Sequence, residues 1–161
     1  MIKKLFFSIV FLLLLWSLLF GIEPLKSKTD ELAVNFSLLD LNGREIFLSD
    51  FKDKPIILFF WTTWCPFCRE ELRFLEDTYP GLVKEGLELF AINIGEPAYK
   101  INNFLKKYFL TFTTLLDRDS DIARAYKIIG VPTYVVINKK GYIVFKGHYF
   151  PQDTYRDLIL Q

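Results

Sequence analysis

Cys65 and Cys68 are the only cysteines in the chain, and they stand three residues apart in Trp64-Cys65-Pro66-Phe67-Cys68. A very apolar run, Pro55-Ile56-Ile57-Leu58-Phe59-Phe60-Trp61, precedes them, and a charged stretch with helical periodicity follows. The pattern reads as a strand that turns into a helix at the first cysteine. A helix N-terminus offers unsatisfied N–H groups and a partial positive charge. Both stabilise a thiolate, which is the nucleophile of thiol–disulfide exchange. The second cysteine lies one turn on, where it can attack a mixed disulfide and release the product. A pair this close cannot staple distant parts of a fold, and the small loop it closes gives little entropic stabilisation. The motif therefore reads as redox chemistry.

The elements that must position this pair follow from pattern. Residues 34–41 read as a strand, Asn42-Gly43 as a tight hairpin turn, and 45–48 as the partner strand. Residues 49–52 read as one helical turn, and 56–61 as the central strand. Pro66 suits the first helical position, where its missing N–H costs nothing. Leu72, Leu75, Tyr79, Leu82 and Val83 mark the apolar face of that helix. Strand 87–94 comes next, then helix 98–108 with Ile101, Phe104, Leu105 and Tyr108 inward, then a short extended segment over 111–116. Asp119 or Ser120 is the expected cap of a helix running to Lys127. Strands 134–137 and 142–146 flank a turn at 138–141, and a helix over 151–160 closes the chain. The order hairpin, β-α-β-α, β-β-α implies an α/β fold with a mixed central sheet and helices on both faces.

The 161 residues suit one domain, and the formal net charge of +1 gives no reason to expect nucleic acid as a partner. At the N-terminus, Lys3 and Lys4 precede an uncharged run over residues 5–22. As a helix, that run spans roughly 27 Å at about 1.5 Å per residue, close to the ~30 Å hydrocarbon core. Its end, Ser17-Leu18-Leu19-Phe20-Gly21-Ile22, lacks the small-residue pattern of a good cleavage site. The expected organisation is a membrane anchor or signal segment over 1–22, a polar linker over 23–33 and a catalytic domain over 34–161. The flanking lysines place that domain on the extracytoplasmic, periplasmic side, anchored by one transmembrane helix or released if the segment is cleaved. Exported compartments are oxidising. A dithiol there is either an oxidant or a reductant that something keeps reduced.

From residue 34 onward the chain resembles the thioredoxin superfamily, and within it the TlpA/ResA-like membrane-anchored thiol-disulfide oxidoreductases. The matching stretches are Asn35-Phe36-Ser37-Leu38-Leu39-Asp40-Leu41-Asn42-Gly43, Trp61-Thr62-Thr63-Trp64-Cys65-Pro66-Phe67-Cys68-Arg69-Glu70-Glu71, Ile92-Asn93-Ile94-Gly95-Glu96 and Gly130-Val131-Pro132-Thr133. The resemblance implies a thioredoxin fold with an added N-terminal β-hairpin. It implies Cys65 as the attacking nucleophile and Cys68 as the more buried resolving thiol. It makes Val131-Pro132 a cis-proline loop, whose Val131 backbone is free to pair with an extended substrate. Trp64, Pro66 and Phe67 would complete the substrate-facing surface, with Trp61 in the core. Glu71 and Glu96 match the family's active-site acids, which can handle a thiol proton if burial raises their pKa. One departure is Phe59, which stands where ordinary thioredoxins have a buried aspartate, so that proton route is missing and the two glutamates gain importance.

Together these features predict an exported protein-disulfide reductase. The resemblance implies cysteine-containing clients such as apocytochrome c during cytochrome c maturation. A membrane thiol carrier would supply electrons, and no cofactor is needed beyond the dithiol. Three alternatives stay open: a disulfide oxidase or isomerase, a thiol peroxidase, and a copper-binding module on the same fold. Only His148 and Met1 could add a soft-metal ligand to the two thiolates, so no metal site is expected.

Overall fold

The computed structural model describes residues 31–152 and 155–159. The apolar N-terminal run and most of the polar linker lie outside the described residues. Among the described residues, no helix is long and apolar enough to cross a membrane.

The centre is β3 (Ile56–Trp61), a strand in which every residue is buried. Such a continuous apolar run fits a strand covered on both faces. It pairs in parallel with β4 (Glu88–Ile94) and antiparallel with β6 (Thr133–Ile137). β4 pairs in parallel with β5 (Thr114–Asp117), and β6 pairs antiparallel with β7 (Ile143–Gly147). An N-terminal hairpin, β1 (Ser37–Asp40) and β2 (Glu45–Phe47), adds through β1 to β5. The described residues thus form one seven-stranded mixed sheet in the order β2-β1-β5-β4-β3-β6-β7. One face is covered by α1 (Pro66–Lys84), α2 (Ala98–Tyr108) and the start of α4 (Tyr155–Ile159). The other is covered by α3 (Asp121–Ala125) and a 3-10 turn at Leu48–Phe51. This is a thioredoxin-like α/β fold.

Several boundaries differ from the sequence pattern for identifiable reasons. The N-terminal strand starts at Ser37, not at 34, because Glu31–Ala33 bond elsewhere: Ala33 N–H donates to Gly141 O, and Ile143 N–H donates to Glu31 O. The hairpin loop holds four residues, Leu41, Asn42, Gly43 and Arg44, rather than two. The buried carboxylate of Asp40 accepts from Asn42 N–H and Arg44 N–H, and Gly43 takes a φ of 80° that favours glycine. β5 begins late because Glu76 on α1 captures both the N–H and the hydroxyl of Thr111. Val83, expected on the inner face of α1, is 50% exposed, since the buried line runs through Leu72, Leu75 and Leu82.

The largest correction concerns α3. Neither Asp119 nor Ser120 caps it by side chain. Asp117, the last residue of β5, does so instead: its buried carboxylate accepts from Ile122 N–H at 3.2 Å and Ala123 N–H at 2.8 Å. The helix ends at Ala125 rather than Lys127, whose φ is 52°. The Asp117→Ala variant will therefore lose about 1–2 kcal/mol of unfolding free energy, measured by urea denaturation. An unchanged midpoint would show that the cap contributes nothing.

Candidate active site

Cys65 occupies the N-cap of the nineteen-residue helix α1, a position usually held by Ser, Thr, Asp or Asn. Its Sγ accepts from Cys68 N–H at 3.1 Å, so the sulfur fills the capping role. Pro66 takes the first helical position, as expected. Cys65 and Cys68 form a disulfide with Cα atoms 5.3 Å apart. Cys65 is 3% exposed and Cys68 fully buried, which leaves Cys65 as the sulfur nearer to solvent.

The Val131–Pro132 peptide bond is cis. Its loop lies against the disulfide, with the Val131 carbonyl oxygen 3.6 Å from Cys65 Sγ. Beside it runs a groove of about 280 Å³, lined by Phe67, Glu71, Val131, Pro132, His148 and Tyr149 among others. Trp64 and Phe67 are 63% and 66% exposed, an aromatic collar around the sulfurs. Trp61 is fully buried and packs on Phe104.

The two acids sit in different surroundings. Glu71 is half-buried on α1, three residues after Cys68, and accepts a hydrogen bond from the Tyr134 hydroxyl at 2.6 Å. Burial drives the Tyr134 pKa far above the usual phenol value, helped by this bond to Glu71. Tyr134 is therefore a fixed donor at ordinary pH. Glu96 is only 6% exposed. Its carboxylate accepts from Thr63 N–H at 2.6 Å, the Thr63 hydroxyl at 2.6 Å and Asn93 Nδ2 at 2.9 Å, and pairs with Lys100 Nζ at 2.6 Å. Burial pushes its pKa up, but Lys100, Thr63 and Asn93 outweigh that push and hold it below the ordinary carboxylate value. This is the reverse of the raised pKa expected from burial alone. Arg69 of α1 donates to Thr63 O from the other side. Glu96 thus pins the loop that delivers Cys65.

The sign of this shift fixes a pH effect. A carboxyl held below its unfolded value adds stability above the unfolded pKa of about 4.3. That contribution is lost as pH falls through the folded value. Asp40, where burial's upward push is outweighed by Arg44 and Asn42, adds an effect of the same sign. Unfolding free energy will therefore fall between about pH 5 and pH 2. Denaturant titrations across this range will show a shallower fall in Glu96→Gln than in the wild type. An unchanged slope would contradict the assignment.

His148, like Tyr134 and Thr63, is a site residue that sequence reasoning missed. Its Nδ1 lies 2.7 Å from Pro132 O, so Nδ1 carries the proton and donates to the cis-proline loop. The signal was present in hairpin arithmetic: β6 and β7 pair Tyr134 with Gly147, which brings the next residue, His148, beside Thr133. Among the described residues, no three His, Cys, Asp or Glu side chains are grouped to hold a metal ion.

A disulfide at the N-cap of a long helix, facing a cis-proline loop on this sheet, defines the class: a thioredoxin-fold dithiol–disulfide redox protein. Residues 29–146 match the AhpC/TSA family, and the chain belongs to it. It is 36% identical over 128 residues to the thiol-disulfide oxidoreductase ResA of Geobacillus kaustophilus, covering 78% of this chain and 74% of the relative. It is 38% identical over 124 residues to the ResA of Bacillus subtilis, covering 77% and 68%. Among solved structures it is similar to StoA of Bacillus subtilis, with a TM-score of 0.66, 26% identity, and coverage of 77% of this chain and 96% of that one. The thioredoxin domain of a thiol-disulfide oxidoreductase from Bacteroides vulgatus superposes with a TM-score of 0.71 at 25% identity, covering 81% and 94%.

Proposed function

We propose that the protein is a thiol-disulfide oxidoreductase that reduces disulfides in exported proteins, with apocytochrome c as the client class. The observation that carries the reading is Cys65 at the N-cap of α1, with its sulfur against the Val131 backbone carbonyl. In the reduced state the helix terminus and the Cys68 N–H stabilise a Cys65 thiolate. The client lies extended along Val131 and Pro132, within the collar of Trp64, Pro66 and Phe67. Cys65 attacks a client sulfur, and one client thiolate leaves. Cys68 then loses its proton to Glu71 and attacks Cys65 Sγ, which releases the second client thiolate and closes the disulfide. Glu96, held ionised by four donors, acts as a positioning residue for Thr63 and the loop into Cys65. Residues 1–22 anchor the domain at the extracytoplasmic face of the membrane, and a membrane thiol carrier returns two electrons to the disulfide. The ResA names of the relatives above support this reading.

The reduction potential of the Cys65–Cys68 pair tests it. The expected value lies near or below thioredoxin's, about −270 mV. A value near about −120 mV would make the disulfide a strong oxidant and replace reduction with disulfide formation. Consumption of peroxide with a thiol donor would move the protein to the peroxidase reading.

A further inference from the structure

In the central strand, Phe59 occupies the place where the thioredoxin pattern would put a buried acid. Its cross-strand partner in the β3–β6 register is Tyr134. Both side chains are fully buried on the face covered by α1, with ring centroids 4.6 Å apart. Phe150 meets the Tyr134 ring at 5.6 Å, so the phenol is fixed by aromatic packing. Its hydroxyl is directed to one partner, the Glu71 carboxylate, at 2.6 Å. Glu71 stands three residues after Cys68 on α1, a spacing that puts both side chains on one helix face.

We propose that Tyr134 is a positioning residue that holds the Glu71 carboxylate on the Cys68 side of the disulfide, supplying from β6 the polar anchor that Phe59 cannot supply from β3. The proposal rests on the reading of Glu71 as acceptor of the Cys68 proton. In the step concerned, Cys68 S–H gives its proton to Glu71. The Cys68 sulfur then attacks Cys65 Sγ, a new S–S bond forms, and the outgoing thiolate takes the electron pair of the old one. The hydrogen bond that this hydroxyl donates fixes one carboxylate orientation and leaves the remaining lone pairs of Glu71 to receive that proton. Without it, Glu71, which lines the groove beside Glu70, His148 and Tyr149, is free to turn away from Cys68.

The test is a stopped-flow reaction of the reduced full chain with Ellman's reagent, followed across pH. The first release of thionitrobenzoate reports attack by Cys65, and the second reports resolution by Cys68. In the wild type the second rate will vary little with pH near neutrality. In Glu71→Gln it will fall about tenfold to a hundredfold near neutrality and rise steeply with pH, because only bulk base removes the proton. Tyr134→Phe, which keeps the ring and its packing, will slow the second release about fivefold and leave the first unchanged. The double variant will match Glu71→Gln alone.

Equal slowing of both releases in Tyr134→Phe would mean a general structural role and overturn the proposal. So would an effect of Tyr134→Phe that adds fully to that of Glu71→Gln, or no effect of Tyr134→Phe while Glu71→Gln retains its own. A wild-type profile in Glu71→Gln would instead overturn the reading of Glu71 itself, and the Tyr134 proposal with it.

Discussion

Cys68→Ser will turn the protein into a trap. Cys65 still attacks a client disulfide, but no thiol stands one turn below to resolve the adduct, so the mixed disulfide accumulates. Multiple-turnover reduction will fall by roughly a thousandfold or more, because nucleophile and resolving thiol act as a unit. Cys65→Ser will be equally inactive but will form no adduct. Cys68 is fully buried beneath the helix terminus and cannot meet a client first. Intact-mass measurement with a disulfide-bonded peptide separates the two variants. An adduct on Cys68 in Cys65→Ser, or none on Cys65 in Cys68→Ser, would reverse the assignment of roles. The Cys68→Ser trap applied to exported proteins would also identify the client class.

The parts of this site that were legible in sequence are those fixed by local chemistry. β3 and α2 fall at Ile56–Trp61 and Ala98–Tyr108, as their apolar patterns predict. Pro66 marks the start of α1, where its missing N–H costs nothing and its fixed φ suits the first turn. What was not legible depends on contacts between distant segments. Asp117 caps α3 across a turn, so a scan for a cap next to the helix settles on Asp119 or Ser120. Glu76 holds Thr111 off the sheet from 35 residues away. His148 reaches Pro132 only through the β6–β7 register. Glu96 was found by its motif, but the direction of its pKa was not. Burial alone raises a carboxyl, and the donors that reverse the shift come from three separate segments, at Thr63, Asn93 and Lys100.

Glu96→Ala will have the largest stability effect at the site. The substitution removes a buried carboxylate and leaves the N–H and hydroxyl of Thr63 and the Asn93 amide without the acceptor they share. Lys100, 46% exposed, turns to water at little cost, so the loss comes mainly from the buried neutral donors. Stranding them costs about 2–4 kcal/mol in urea denaturation. The functional effect follows from geometry. Thr63 is held by Glu96 on one side and by Arg69 on the other, and its segment leads directly into the Cys65 N-cap. With the Glu96 side released, Cys65 no longer meets Val131 at a fixed distance. The first release of thionitrobenzoate will slow several-fold without a change in the shape of its pH dependence. Glu96→Gln keeps an acceptor for Thr63 and will recover most of that rate. A proton-handling Glu96 would behave differently: glutamine would be as damaging as alanine, and the pH profile of the second release would change shape. The comparison of the two variants therefore separates a carboxylate that holds the loop from one that moves a proton.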